Sequence, residues 1–249
     1  MNTTALIDFL QKGVEFIKPT IELIVGGLIA TMFLRKNTSI GEFEKIKSGF
    51  FQEVTEDLLK NGKITYYEFY KCNNFLKIAK YADEYFKEKE EQSKNNATSQ
   101  EKFDFDWFIQ FYESSSNISD DEMQKYWGKL LANAVHDNSI QKRIYIDIIA
   151  RLSHFEAIII EKIYSLPFDE IQHKPLLAYN LPDSIEFLDE KTNNLPDLNN
   201  IEIKLALINL SRVGCISFLK SLGGGEINSA VCATFLGKCF HDALTIKEN

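Results

Sequence analysis

The sequence predicts a mainly helical protein: a multi-helix body, a small C-terminal winged-helix-like α+β module and an N-terminal hydrophobic helix. Three observations carry that expectation. Proline and glycine are scarce, 5 and 12 among 249 residues, which favours helices over a sandwich or barrel. Four helix starts are marked by a Ser or Thr followed three residues later by Glu, each in register with apolar helical periodicity. After Gly214 the pattern turns to short apolar runs around a glycine-rich turn, as in a β-hairpin.

The chain is 45% hydrophobic and 26% charged with a formal net charge of -8, ordinary for a folded protein and wrong for one built to neutralise phosphate. The cysteines, Cys72, Cys215, Cys232 and Cys239, show no paired framework and read as small buried hydrophobes of a reducing compartment. The segments are read as 1–36, an N-terminal anchor helix; 37–90, a helical hairpin; 91–102, a linker; 103–166, a helical core; 167–200, an irregular excursion; and 201–249, the winged-helix-like module.

The first of these holds the run Ile21 to Leu34, fourteen residues with one charge, Glu22, followed by Arg35 and Lys36. A spanning helix wants about 20 apolar residues, so the run is short unless extended back through Phe16. It reads either as a helix buried in the core or docked on a partner, or as a membrane attachment. Ile24 to Leu34 is apolar all round rather than striped, which favours attachment. The membrane or oligomer contact is assigned to Ile21, Leu23, Ile24, Val25, Gly26, Gly27, Leu28, Ile29 and Phe33, with Arg35 and Lys36 at the headgroups. Gly26 and Gly27 permit close helix approach. If the segment spans, the basic pair places the C-terminal body in the cytoplasm. The late apolar run, with no small-residue cleavage site after it, does not resemble a secretory signal.

The four helix starts are Ser39…Glu42, Thr65…Glu68, Ser119…Glu122 and Ser153…Glu156. In such a capping box the hydroxyl accepts from the third helical amide and the carboxylate reaches back to the cap amide. Hydrophobic staples are expected between Ile64 and Phe69 and between Ile118 and Met123. The helix from Tyr66 carries Phe69, Cys72, Phe75, Leu76, Ala79, Ala82 and Phe86 as its buried stripe. It runs out into KEKEEQSKNNATSQEK, a solvated segment without a large apolar residue.

The block from Asp104 to His136 is the most patterned. Asp106 is expected to cap the helix that holds Trp107. In the helix from Asp120, the residues Met123, Tyr126, Trp127, Leu130, Leu131, Ala134 and Val135 recur at i, i+3, i+4, i+7, i+8, i+11 and i+12, one core face. The acidic first turn, Asp120 to Glu122, suits the helix dipole better than a metal, because adjacent first-turn positions splay apart. Asp106, Trp107, Ser119, Glu122 and Trp127 are therefore assigned structural or interface roles. Helices follow over about Gln141–Leu152 and His154–Ser165. Phe168 to Asn200, with Pro175, Pro182 and Pro196, reads as a surface excursion with short elements at most. A helix from Ile201 should end at Gly214, strands should cover 215–219 and 227–233, and Thr234 should cap a last helix.

No residue pattern specifies a reaction. The histidines, His136, His154, His173 and His241, sit in no HExxH; no CxxC occurs; and Gly223–Gly225 lacks the lysine and helix of a phosphate loop. No catalytic, cofactor-binding or metal residue is assigned, no cofactor is expected, and the chain is not expected to be an enzyme. Between Ile201 and Gly214 only Lys204 and Arg212 are basic, opposed by Glu202, so nucleic acid is not an expected partner. Protein–protein packing suits that module better.

Three stretches resemble the abortive-infection alpha family of bacterial phage-defence proteins. The first is Asp106-Trp107 with Phe111, then Ile118 to Gln124 and Trp127 with Leu130-Leu131-Ala132. The second is Leu152-Ser153 with Glu156-Ala157. The third is Leu210 to Ile216 followed by Thr234 to Phe240. The likeness covers about Phe103 to Leu244, with Val213 and Cys215 replacing commoner family choices. The resemblance implies phage defence. With the apolar N-terminal run, which not every relative shares, and the lack of a catalytic pattern, the expectation is a non-enzymatic antiphage protein in the bacterial cytoplasm, held at the inner membrane by that segment. Such a protein would act by partner binding or membrane perturbation, as a homo-oligomer or with a protein partner of a defence system. A soluble adaptor subunit and a hydrolase toxin are the alternatives.

Overall fold

The computed structural model describes residues 50–92, 104–189, 198–220 and 224–245. The anchor-like segment with all its assigned residues, the Ser39…Glu42 pair and most of the 91–102 linker lie outside the described residues. The chain divides into two compact units, one ending at Gln141 and one beginning at Lys142.

In the first unit, α1 (Phe50–Lys60) ends on Gly62, whose φ of +63° is the left-handed conformation that closes a helix. The capping box that starts α2 (Tyr66–Gln92) is present. The Glu68 amide donates to Thr65 Oγ1 at 3.2 Å and the Thr65 amide to Glu68 Oε2 at 2.7 Å. That amide holds the Glu68 carboxyl below its ordinary range. The expected staple is there too: Ile64 is buried with Leu58, and Phe69, Leu59 and Leu76 pack on them.

The caps of α3 (Phe105–Ser115) and α4 (Asp121–His136) correct two expectations by one residue or two. Asp104, not Asp106, caps α3, accepting from the Trp107 amide at 3.1 Å, while Asp106 is an exposed first-turn residue. Asp120, not Ser119, caps α4, accepting from the Met123 amide at 2.8 Å. Moving the cap forward puts Glu122 one position short of where its carboxylate could reach back. It pairs instead with Lys125 at 2.6 Å. A capping residue must be extended while its carbonyl opens the helix, and Asp104 and Asp120 both are, at ψ 104° and 121°.

All seven residues expected on the core face of α4 are buried, and so are Gln124, Gly128, Ala132 and Asn133 on its other sides. This helix is the axis of the unit, and α2 packs along it. At Gly128 a Cβ would stand 2.7 Å from Tyr81 Cβ and 3.1 Å from the Ala82 amide nitrogen. The missing side chain is therefore what brings the two backbones this close. The expected stripe of α2 is buried at Cys72, Phe75, Ala79 and Ala82, joined by Ile78 and Asn74, which the stripe did not include.

The second unit begins with α5 (Arg143–Ile149) and α6 (His154–Tyr164). α6 starts from the complete Ser153…Glu156 capping box. Next come α7 (Phe168–Ile171), β1 (Leu176–Leu177), β2 (Glu186–Phe187), α8 (Ile201–Arg212), β3 (Ile216–Lys220), β4 (Glu226–Ala233) and α9 (Phe235–Leu244). Gly214, at φ +80°, ends α8 and Thr234 caps α9, both at the expected positions.

The sheet is wider than the expected hairpin. Its order is β2-β1-β4-β3, all antiparallel, with Phe218 and Leu176 facing opposite edges of Val231. The strands β1 and β2 come from the 167–200 excursion. The first half of that stretch is not on the surface, because Ile171, Leu176, Ala178 and Leu181 are buried. The β1 pairing supplies the physical reason: a strand that completes a sheet must bring its inward side chains along. The architecture is thus mainly helical with one small antiparallel sheet. Among the described residues no helix is long and apolar enough to cross a membrane.

Candidate functional site

The patterned block folds into an aromatic core in the first unit. Phe75 of α2 meets Phe108 at 5.9 Å and Tyr112 at 5.2 Å between ring centroids, both edge-on. Phe111 lies between the two tryptophans, 5.2 Å from Trp107 and 5.1 Å from Trp127. These tilted and edge-on arrangements are the favourable ones for rings of this quadrupole.

A buried polar relay runs beside the rings. Asn74 Nδ2 of α2 donates to the Ser116 carbonyl at 3.0 Å. Gln124 Nε2 of α4 donates to the Ile118 carbonyl at 2.8 Å and reaches Asn74 Oδ1 at 3.4 Å. The carbonyls of the α3–α4 connection would otherwise be buried without secondary-structure partners, and two side-chain amides answer them. At the rim, Tyr81 donates to Asp121 Oδ1 at 2.9 Å, tying α2 to the start of α4.

The second unit has a polar hub of its own. The Tyr164 hydroxyl at the end of α6 donates to the Cys215 carbonyl at 2.5 Å and accepts from the Thr234 amide at 2.9 Å. Thr234 Oγ1 donates to the Gly214 carbonyl at 2.7 Å and accepts from the Gly237 amide at 3.0 Å. One tyrosine and one threonine thereby join the end of α6, the exit of α8 and the entry of α9. Gly237 is the close-approach residue, because a Cβ there would collide with the Cys215 carbonyl oxygen and the Tyr164 hydroxyl. A second tie lies at the start of α6. Asn209 Nδ2 of α8 donates to Glu156 Oε1 at 2.8 Å and to the Arg151 carbonyl at 2.9 Å. Glu156 thus serves its own cap with one oxygen and α8 with the other.

Burial sets the electrostatics of these cores. It pushes the Cys72 thiol up to about 11 and the Cys215 thiol up to about 12. Burial likewise raises the Tyr164 hydroxyl to about 12 and the Tyr112 hydroxyl further. Cys72 and Cys215 are the small buried hydrophobes that the sequence suggested. Groups whose folded pKa is raised lose their protons first in the unfolded chain, so their contribution to stability is complete below the unfolded value and is lost as pH rises. The prediction is a fold whose urea midpoint holds to about pH 9 and falls progressively above it. Denaturation curves from pH 7 to 11 check this, and a midpoint that stays level across that range contradicts it.

The assigned interface residues separate into two groups. Trp107 and Trp127 are inside the core, 2% and 0% exposed, while Asp106, Ser119 and Glu122 are exposed. The tryptophans serve packing, and any surface they help shape is presented by neighbours. The residues that carry the ties, Asn74, Gln124, Tyr164 and Asn209, were not singled out from sequence. Asn74 stands between Cys72 and Phe75 in an apolar stripe, and Gln124 beside Met123 in another, which is the signal a buried amide leaves. Tyr164 leaves none. Among the described residues no group of three or more His, Cys, Asp or Glu is placed to hold a metal ion.

Comparison with known proteins gives one match: a family model described as abortive infection alpha fits residues 73–227. That range is more than half of the 249-residue chain. It begins in α2, earlier than the resemblance by motif, and ends in β4, before Thr234. No curated protein and no solved structure matches.

Proposed function

The chain belongs to the abortive infection alpha family, and from that premise we propose that it acts in phage defence as a non-enzymatic component. The N-terminal run attaches it to the inner face of the bacterial inner membrane. On infection it engages a protein partner or perturbs the membrane. The observation that carries the non-enzymatic part is what the motif residues do. Asp120, Ser153, Glu156, Thr234 and Gly237 are all engaged with backbone groups or with side chains that fix helix ends. What the resemblance picks out is therefore scaffolding, and scaffolding held this tightly suits a body that senses or positions a partner.

The attachment rests on sequence. Fourteen residues from Ile21 to Leu34 hold one charge and are followed by Arg35-Lys36, a short apolar stretch with a cytoplasmic-side basic flank. Substituting Gly27→Arg puts a charge near its middle, at a cost of about 3 kcal/mol for a lipid-inserted position. The expected result is loss of protection in a phage-plating assay at unchanged protein level, and release of the variant from membranes by carbonate. Full protection by Gly27→Arg, or release of the wild-type chain by the same wash, counts against the reading.

A further inference from the structure

The outer face of α8 is not accounted for by the fold or by the proposed role of the N-terminal segment. Along this 12-residue helix Ile203, Ala206, Leu207 and Leu210 are buried, and Ile201, Glu202, Leu205, Ile208 and Arg212 are exposed. Ile201 is 73% exposed, Leu205 62% and Ile208 44%. They recur at i, i+4 and i+7, so they form one stripe rather than scattered positions. A helix with apolar residues on its inner face and on its outer face has a second packing surface, and three adjacent large aliphatics in water are the mark of a contact.

The charges on the stripe say what the contact is. Glu202 stands at its N-terminal end and Arg212 at its C-terminal end, one acidic and one basic, with only Leu205 and Ile208 exposed between them. Laid antiparallel on a second α8, the stripe is complementary to itself. Leu205 of each helix falls against Ile208 of the other, and Glu202 of each falls beside Arg212 of the other, at both ends. A two-fold contact requires this self-complementarity, since every residue pair occurs twice. The opposed helix dipoles add to the fit.

We propose that α8 is a homodimer contact in which two copies of the chain pair antiparallel through Ile201, Leu205 and Ile208, with Glu202–Arg212 ion pairs closing both ends. The contact does not need the N-terminal run, so its failure and the failure of membrane attachment are separate results.

Charge reversal tests it, because only a self-pairing surface is rescued by reversal within one chain. The full-length protein, purified in mild detergent, is followed by sedimentation equilibrium, with circular dichroism to confirm folding of each variant. The expected result is a dimer for the wild-type chain that Leu205→Asp weakens by at least about tenfold. Glu202→Arg and Arg212→Glu each weaken it several-fold by setting like charges opposite. The double variant, Glu202→Arg with Arg212→Glu, recovers the wild-type constant, since the pairs re-form with signs exchanged. A monomeric wild-type chain overturns the proposal. So does a dimer indifferent to Leu205→Asp, which places the contact elsewhere. So does a double reversal no better than the single ones, which is the behaviour of a surface made for a different protein.

Discussion

Gly237→Ala is expected to cost the second unit about 3–5 kcal/mol, a large fraction of the roughly 5–15 kcal/mol of a typical domain. The added methyl has nowhere to go. On one side is the Cys215 carbonyl, fixed at the exit from α8; on the other is the Tyr164 hydroxyl, held between that carbonyl and the Thr234 amide. Neither is the loose end of a flexible side chain. Relief requires α9 to move away, which breaks the Tyr164 bonds and strands buried polar groups as well as opening the packing. Urea denaturation followed by circular dichroism measures it. A change under about 1 kcal/mol would mean that α9 can shift freely, and the hub would then not be the junction described. Tyr164→Phe offers a graded companion, because it keeps the ring and removes only the hydroxyl, with an expected cost of about 1–3 kcal/mol.

Trp127→Ala is expected to do comparable damage in the first unit, about 3–5 kcal/mol. Its ring is fully buried, edge-on to Phe111, and sits one residue before the close approach at Gly128. The backbone contact there prevents α2 and α4 from closing over the vacated volume, so the cavity persists and the cost falls at the upper end of the range. Trp127→Phe should cost clearly less, because a ring remains to meet Phe111. Loss of the two variants in equal measure would argue that the indole nitrogen, rather than the ring volume, is what matters. The measurement is again the denaturation midpoint.

What the sequence made legible follows from the range of the interactions. The core face of α4, the Thr65 and Ser153 capping boxes, the Ile64 staple, the stop at Gly214 and the Thr234 cap were all readable. Each depends on residues within about two turns of one another. The α3 and α4 caps were misplaced because Asp104 and Asp106, and Ser119 and Asp120, are equally good capping residues; which one is extended depends on how the helix docks. The inward course of 171–181 was not readable, because β1 pairs with β4 more than fifty positions later, and two-residue strands carry no periodicity. The relay of Asn74 and Gln124 was missed for a related reason. The groups it satisfies are the carbonyls of Ser116 and Ile118, set by the connection between helices and not by any side-chain pattern. The functional assignment stands apart from all of these, since it comes from the family match over residues 73–227 and not from a residue pattern that specifies a reaction.

The strand order of the second unit bears on how the chain is made. Of the two inner strands, β4 is the last to leave the ribosome, and β3 depends on it for a partner while β1 depends on it for its second one. Until synthesis has passed residue 233, the apolar residues of β3 have no ladder to join and Leu176 and Leu177 have only that of β2, so one edge of each strand stands open to other nascent chains. Translation that stops between β1 and that point leaves a product with exposed strand edges, open to proteolysis or self-association. A cell that halts protein synthesis part-way would thus accumulate no working copies of this unit, only those completed beforehand.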